Sequence, residues 1–211
     1  MDGQSLETTR RSLHGLAELV LAGPQWRRSH DIRLRVVAGG FATVTAPDLM
    51  VEATALMTRA GPLPLSGTFA ELAAAAGLEA VELRDVYAEG PGVAPDDVID
   101  VDEQAARVIL DAFARGDAAM RSFAPAEVPV LWPEHFDVGI TVAEVNYGVS
   151  SGDAHSAEPY AYVGPWAHQE GAFWNMPFGA ARPLTDLPDA EAVAAFFAEG
   201  ARRAARSAPV G

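Results

Sequence analysis

The spacing of apolar residues along the chain predicts four helices. In each of them, apolar side chains recur every three or four positions, which is typical of a helix with one face buried. Thr68 and Glu71 form a capping-box pattern at the start of the second helix. Gly23-Pro24 is expected to end the first one. The predicted helices cover residues 5–22, 68–77, 102–121 and 186–206.

Other segments alternate between apolar and polar residues, which predicts strands that are buried on one side. In "HDIRLRVV" (30–37), Leu34 and its alternate neighbours face one side, while Arg33 and Arg35 face the other. "PVLWPEHFDVGITVAEVNYG" (129–148) predicts one long strand after Pro133. Further predicted strands are "FATVT" (41–45), "LMVEATALM" (49–57), "AVELRDVY" (80–87), "EPYAYVG" (158–164) and "AFWNMPF" (172–178).

The order of these elements predicts the fold class. Runs of strands bracketed by helices favour an α+β fold, with an antiparallel sheet and helices packed on one face. We expect a single domain over residues 1–211. A Pro-Leu turn precedes an alanine-rich helix in both parts of the chain, so two related helix–strands–helix halves, 1–88 and 100–211, stay open as an alternative description.

Composition limits the partners and the compartment. The chain contains no apolar run of about 18 residues, and "MDGQSLETTRRSLHGL" lacks the basic start and apolar centre of a signal peptide. These features predict a cytoplasmic protein with no membrane partner. The formal net charge of −14 would repel a phosphate backbone, so we expect no nucleic-acid partner.

Two residue types are missing altogether. The sequence has no cysteine, and all 15 of its basic residues other than histidine are arginine. Thiolate nucleophiles and cysteine-ligated metals are therefore excluded, as are Schiff bases and the lysine of a phosphate-binding loop. No cofactor is attached through lysine or cysteine, whereas a divalent metal held by other residues stays open.

The stretch "YGVSSGDAH" (147–155) contains the G-x-S-x-G pattern of a serine-hydrolase nucleophile elbow, centred on Ser150. An elbow needs a strand, a sharp turn and then a helix. Here the residues after Gly152 are polar and stop at Pro159, and another strand follows. We therefore interpret the stretch as a hairpin loop made of turn residues.

"EHFDVGITV" (134–142) is the better candidate for a site. On a strand, His135 and Asp137 share a face, whereas Phe136 and its alternate neighbours enter the core. The two polar residues could hold a metal or a small ligand, with His135 as acid–base group or ligand and Asp137 as its orienter. The simpler interpretation is a local hydrogen bond of His135 and an ion pair of Asp137. Iron- and 2-oxoglutarate-dependent oxygenases also use His-x-Asp followed by a histidine and an arginine, an order that His168 and Arg182 repeat.

Polar and aromatic residues of other strands complete the prediction. Arg33 and Arg35 could clamp a carboxylate or phosphate, or could simply form a solvated face. Tyr160 and Tyr162 share a strand face in a part of the chain that is rich in aromatic residues. We therefore expect the protein to bind a small polar or metal-associated ligand on its sheet near His135 and Asp137, with its status as an enzyme left open. The alternative is a non-catalytic interaction module, a homo-oligomer or partner-binding protein that uses the aromatic C-terminal third.

Several short motifs occur in an order that resembles a family of uncharacterised bacterial proteins, known only as a domain of unknown function. The resemblance covers most of the chain and implies no activity. The motifs are "RRSLHGLAELVLAG", "SGTFAELAAAAGLEAVEL", "RSFAP", "PEHFDVGITV", "EPYAYVGPW" and "AFFAEGARRAA".

Overall fold

The strands form one antiparallel sheet in a computed structural model that describes residues 3–88 and 90–207. Within these residues the sheet has ten strands in the order β10-β9-β8-β7-β6-β1-β2-β3-β4-β5. The strands are β1 Leu34–Val37, β2 Gly40–Thr43, β3 Met50–Glu52, β4 Ala55–Thr58, β5 Gly61–Pro64, β6 Val130–Trp132, β7 Asp137–Val142, β8 Val145–Ser150, β9 Tyr160–Pro165 and β10 Ala180–Pro183.

Helices precede, separate and follow the two runs of strands along the described part of the chain. They are α1 Gly3–Gly15, a π-helical segment Leu16–Ala22, α2 Gly23–Ser29, α3 Phe69–Ala75, α4 Glu103–Phe123 and α5 Ala190–Ser207. None of them is long and apolar enough to cross a membrane. The predicted α+β class with an antiparallel sheet is confirmed. Each half of the chain supplies a run of consecutive antiparallel neighbours, and the two runs join where β1 pairs with β6. The two related halves remain a prediction.

The core lies between the sheet and the helices on one of its faces. Gly116 of α4 lies against Val138 and Val149, and Gly200 of α5 lies against Val163. All three valines are fully buried. The opposite face of the sheet, here called the open face, carries the side chains that alternate with them.

The first helix does not end where the sequence predicted. Helical structure continues through Gly23-Pro24 to Ser29. Pro24 has no N–H to donate to the turn before it, and Leu19 O in that turn accepts from Val81 N at 2.9 Å. A β-carbon at Gly23 would lie 2.2 Å from the carbonyl oxygen of Val81, so glycine is what allows this close approach.

The predicted strand over residues 80–87 is wrong. Its backbone amides donate to the π-helical segment Leu16–Ala22 and not to a neighbouring strand. Val81 N donates to Leu19 O at 2.9 Å, and Leu83 N donates to Glu18 Oε1 at 3.3 Å. Apolar alternation cannot distinguish a segment that packs on a helix from one that joins a sheet.

Two further strand predictions also need correction. Residues 129–148 form three strands, because turns at 133–136 and 143–144 fold β6, β7 and β8 into consecutive hairpins. Residues 172–178 form no strand beyond one bridge between Met176 and Gly179, and the edge strand is β10. The capping box on α3 is confirmed, with Glu71 N donating to Thr68 Oγ1 at 3.1 Å.

Candidate functional site

The turn between β6 and β7 places His135 off the strand. Phe136 N donates to Trp132 O at 2.9 Å and closes the turn, and Phe136 itself has a left-handed backbone with φ 50°. The prediction that His135 and Asp137 share one face of a strand is therefore wrong. Asp137 is the first residue of β7, and the His135 side chain is 56% exposed in the turn.

The prediction that Phe136 enters the core is confirmed, although it does so from the turn. Its ring stacks on His14 of α1 at 5.2 Å and meets the Phe41 and Phe113 rings edge-on at 5.7 and 5.0 Å. This packing fixes the turn, so that His135 on one side and Asp137 on the other both line the same cleft.

Tyr162 of β9 donates a hydrogen bond to Asp137 Oδ2, although the whole of β8 lies between their strands. The register places Gly148 between Gly139 and Tyr162. A β-carbon at Gly148 would lie 2.5 Å from the Tyr162 hydroxyl oxygen, and one at Gly139 would lie 3.1 Å from it. The two glycines thus let the phenol lie across the open face and reach the carboxyl.

Burial controls the chemistry of this pair. Asp137 is 7% exposed, and burial raises the pKa of its carboxyl, an effect that the hydrogen bond from Tyr162 partly offsets. Burial and the neighbouring Asp137 also raise the pKa of Tyr162 well above its ordinary value, so the phenol remains the proton donor. The other carboxyl oxygen, Oδ1, is enclosed and has no hydrogen-bond partner among the described residues.

A second tyrosine and carboxylate lie beside the first pair. The Tyr160 hydroxyl donates to Asp153 Oδ2 at 2.5 Å, and the Tyr160 and Tyr162 ring centroids are 6.5 Å apart. Asp153 Oδ1 also accepts from the backbone N–H of His155 at 2.7 Å. Asp153 therefore holds the loop 151–159 in shape and ties it to β9.

These groups line one cleft of about 840 Å³. The cleft runs from α1 past the 133–136 turn and the 151–159 loop onto the open face. Its volume lies in the range of small-molecule sites. The residues that line it include Glu7, Arg10, Arg11, His14, Glu134, His135, Asp137, Asp153, Tyr160, Tyr162, Trp166 and Phe178.

The first helix supplies lining residues that no pattern in the sequence predicted. Arg10 Nη1 donates to Ala157 O at 3.0 Å and fastens the 151–159 loop to α1. His14 Nε2 lies 2.7 Å from Pro133 O, and burial lowers the pKa of His14 to about 4. His14 is therefore neutral near pH 7, with its Nε2 proton donated to that carbonyl. Only the packing of α1 against the 133–136 turn brings these residues to the cleft.

Arg33 and Arg35 do not line the cleft. Arg33 pairs with Asp31, with Nη2 at 2.7 Å from Oδ2, and Arg35 Nε donates to Thr43 O at 3.1 Å. Strand β6 separates their strand from β7. Their sequence pattern predicted the correct face of the sheet but could not give the strand order.

A metal at His135 and Asp137 stays a prediction. Residues 3–88 and 90–207 contain no group of three or more His, Asp or Glu side chains arranged to hold a metal ion. His168 is exposed, and Arg182 pairs with Glu199 at 3.7 Å and lies over the Phe196 ring. The order required for an iron oxygenase is present in the sequence, but these side chains do not line the cleft with His135 and Asp137.

The hairpin interpretation of "YGVSSGDAH" is confirmed, because β8 pairs with β9 and the 151–159 loop joins them. Ser150 is buried, and its hydroxyl accepts from Gly152 N at 3.1 Å. Ser151 is also buried and donates to Phe136 O at 3.2 Å. Both serines help to shape the wall of the cleft.

Comparison with known proteins identifies no relative: no protein-family model, no curated protein and no solved structure matches the chain. The resemblance to a family of unknown function therefore stays a prediction.

Proposed function

We propose that this protein binds a small polar ligand in the cleft, over the Tyr162–Asp137 pair and beside His135. The observation that carries the proposal is that Asp137, Tyr160, Tyr162 and His135 line one cleft of about 840 Å³. No reaction is assigned to the site.

The unpartnered oxygen of Asp137 supports a binding role. Buried polar groups in folded proteins nearly always have a hydrogen-bond partner, and exceptions concentrate at functional sites. Asp137 Oδ1 is such an exception among the described residues. The strand could carry an apolar residue here at less cost, so stability alone does not explain the carboxyl.

Thermal-shift screening tests the proposal. Purified protein is heated with a panel of small cationic, neutral and anionic compounds, and a ligand at 100 times its Kd should stabilise the fold by about 2.7 kcal/mol. For a domain of this size, that corresponds to a rise in Tm of roughly 5–10 °C. The matched variants are Tyr162→Leu, which removes the phenol ring and its hydroxyl from the floor of the cleft, and Arg35→Ala, which lies outside it.

A compound that binds in the cleft should lose most of its effect in Tyr162→Leu and keep it in Arg35→Ala. If no compound of any charge class stabilises the wild type, the binding proposal is wrong. If the effect is equal in both variants, the ligand binds elsewhere and the assignment of this cleft is wrong.

The second hypothesis, an interaction module, is supported by exposed aromatic residues. Trp132, the last residue of β6, is 37% exposed, and Trp166, directly after β9, is 66% exposed. By contrast, Tyr147 and Phe197 of the same aromatic-rich region fill the core. Light scattering tests this hypothesis: a stable dimer of the wild type that dissociates in Trp166→Ala would favour it, and a monomer at all concentrations would oppose it.

A further inference from the structure

The charges around the cleft disfavour an anionic ligand. Four carboxyl groups line it, those of Glu7, Glu134, Asp137 and Asp153, and the only arginines lining it among the described residues are Arg10 and Arg11. Both guanidinium groups are engaged, because Arg10 bonds to Ala157 O and Arg11 bonds to Gly92 O at 2.8 Å. Arg11 also pairs with Asp97, a carboxylate outside the lining, at 3.4 Å.

The aromatic side chains offer surfaces that suit a cation. The Phe178 ring stands at 83° to the Tyr162 ring with their centroids 6.4 Å apart, so the two rings form a corner. Both rings are partly exposed. Trp166, more exposed, lines the same cleft. The face of an aromatic ring attracts an ammonium group, and ring clusters of this kind are used to bind quaternary ammonium ligands.

Asp137 provides charge compensation below these rings. Its carboxyl is buried against the Tyr162 hydroxyl and has one oxygen without a partner among the described residues. Because that oxygen is enclosed, a ligand in the corner would act on it through the electrostatic field and need not touch it. A nearby cation favours the ionised form of a buried carboxyl, just as burial disfavours it.

From this combination we propose, on the basis of the binding function proposed above, that the ligand is an organic ammonium ion. It binds in the corner formed by Tyr162 and Phe178, next to the Asp137 carboxyl. Its positive charge lies close to that carboxyl and favours the ionised form of the group.

The decisive experiment compares cations with neutral molecules of the same shape. Choline and butylamine are titrated into the protein by calorimetry, beside 3,3-dimethyl-1-butanol and 1-butanol. The first alcohol replaces the quaternary nitrogen of choline with carbon, and the second replaces the amine of butylamine with a hydroxyl. We expect at least one amine to bind about tenfold or more tightly than its neutral counterpart, as a desolvated cation–π contact predicts.

Two variants locate the binding. Phe178→Leu removes one ring from a partly exposed position, and Asp137→Asn removes the acidic group. We expect each to weaken amine binding about tenfold. Arg35→Ala, outside the cleft, should bind as the wild type does. If Asp137→Asn does not fold, Phe178→Leu and the comparison of amines with alcohols on the wild type still decide the question.

The outcomes separate this proposal from the one on which it rests. The ammonium proposal is wrong if neither amine binds or if the alcohols bind as tightly as the amines. It is also wrong if Phe178→Leu does not weaken amine binding. In those cases a neutral or anionic compound whose stabilising effect depends on Tyr162 would leave the binding function intact. If compounds of every charge class fail, both proposals fail together.

Discussion

The hydroxyl of Tyr162 donates a hydrogen bond to Asp137 Oδ2 across an intervening strand. Strands two apart in a sheet are separated by about 9.5 Å, so the contact requires a long side chain that lies flat on the sheet. Gly148 provides the space beneath the ring. The pair places a phenol and a buried carboxyl in one cleft, and most of the following predictions concern it.

Replacing Gly148 with alanine should displace Tyr162. The new β-carbon would lie 2.5 Å from the Tyr162 hydroxyl oxygen and 2.6 Å from the backbone oxygen of Val138, which cannot move easily. We expect a loss of about 1–3 kcal/mol in the free energy of unfolding, measured by urea denaturation. Gly164→Ala on β9 is the control, because its β-carbon would meet its nearest neighbour at an ordinary 3.4 Å. Equal losses in the two variants would contradict the packing described here.

Removing the hydroxyl of Tyr162 should weaken the fold modestly. In Tyr162→Phe the ring remains, but Asp137 loses its hydrogen-bond donor while both of its oxygens stay buried. We expect a loss of about 1–3 kcal/mol in the free energy of unfolding. The loss should be larger at pH 8 than at pH 4, because an ionised carboxylate depends on the donor more than a neutral acid does. A loss that does not change with pH would show that Asp137 keeps one protonation state across this range.

Asp137 should make the wild type less stable as the pH rises. Burial raises its pKa in the folded state, whereas the unfolded carboxyl titrates near its ordinary value of about 3.9. Between those two values the folded state binds more protons, so the free energy of unfolding falls with increasing pH. Asp137→Asn, which resembles the protonated acid, should gain stability relative to the wild type across this window. Urea denaturation at pH 4 to 8 measures the difference, and a constant difference would contradict the raised pKa.

His14 should act in the opposite direction. Burial lowers its pKa to about 4, whereas an unfolded histidine titrates near 6.5, so the unfolded state takes up more protons as the pH falls. The fold should lose about 3 kcal/mol between pH 6.5 and pH 4 on this account. His14→Gln should remove the loss, and His168→Gln, at an exposed position, should not. An NMR titration that gives His14 a pKa near 6.5 would refute this prediction.

Arg10 should control the mobility of the 151–159 loop. Its guanidinium donates to Ala157 O, and a β-carbon at Gly152 would lie 2.6 Å from Arg10 Nη1, so the side chain lies directly on the loop. Arg10→Leu keeps much of the apolar stem and removes this contact. We expect faster amide hydrogen exchange in residues 151–159 and unchanged exchange in β3 and β4, which lie far along the sheet. Unchanged exchange in the loop would show that Asp153 alone holds it.

Several features of the fold followed from the sequence because their causes are local. The capping box of Thr68 and Glu71, the helical stripe of α4 and the turn residues after Gly152 each depend on neighbours a few positions away. The burial of Phe136, Val138 and Ile140 also followed from the alternation of apolar residues.

The errors arose where a tertiary contact redirected the backbone. His135 left its strand because Phe136 closes a turn and enters a ring cluster with His14, Phe41 and Phe113, residues from three other parts of the chain. Residues 80–87 have the pattern of a strand, yet their amides donate to Glu18 and Leu19 of the π-helical segment Leu16–Ala22. Neither partner can be inferred from the pattern of the segment itself.

The sequence by itself determined the class of fold, the face on which Asp137, Tyr160 and Tyr162 lie, and the absence of lysine and cysteine chemistry. Those properties depend on residue type and on periods of two or 3.6 residues, which are local. Only the tertiary structure decided that Tyr162 reaches Asp137, that α1 brings Arg10 and His14 to the cleft, and that Arg33 and Arg35 stay out of it. Helix docking joins residues more than a hundred positions apart, as in the contacts of Arg10 with Ala157 and of His14 with Pro133. Both strand order and helix docking depend on how apolar faces fit together, which a local pattern does not record.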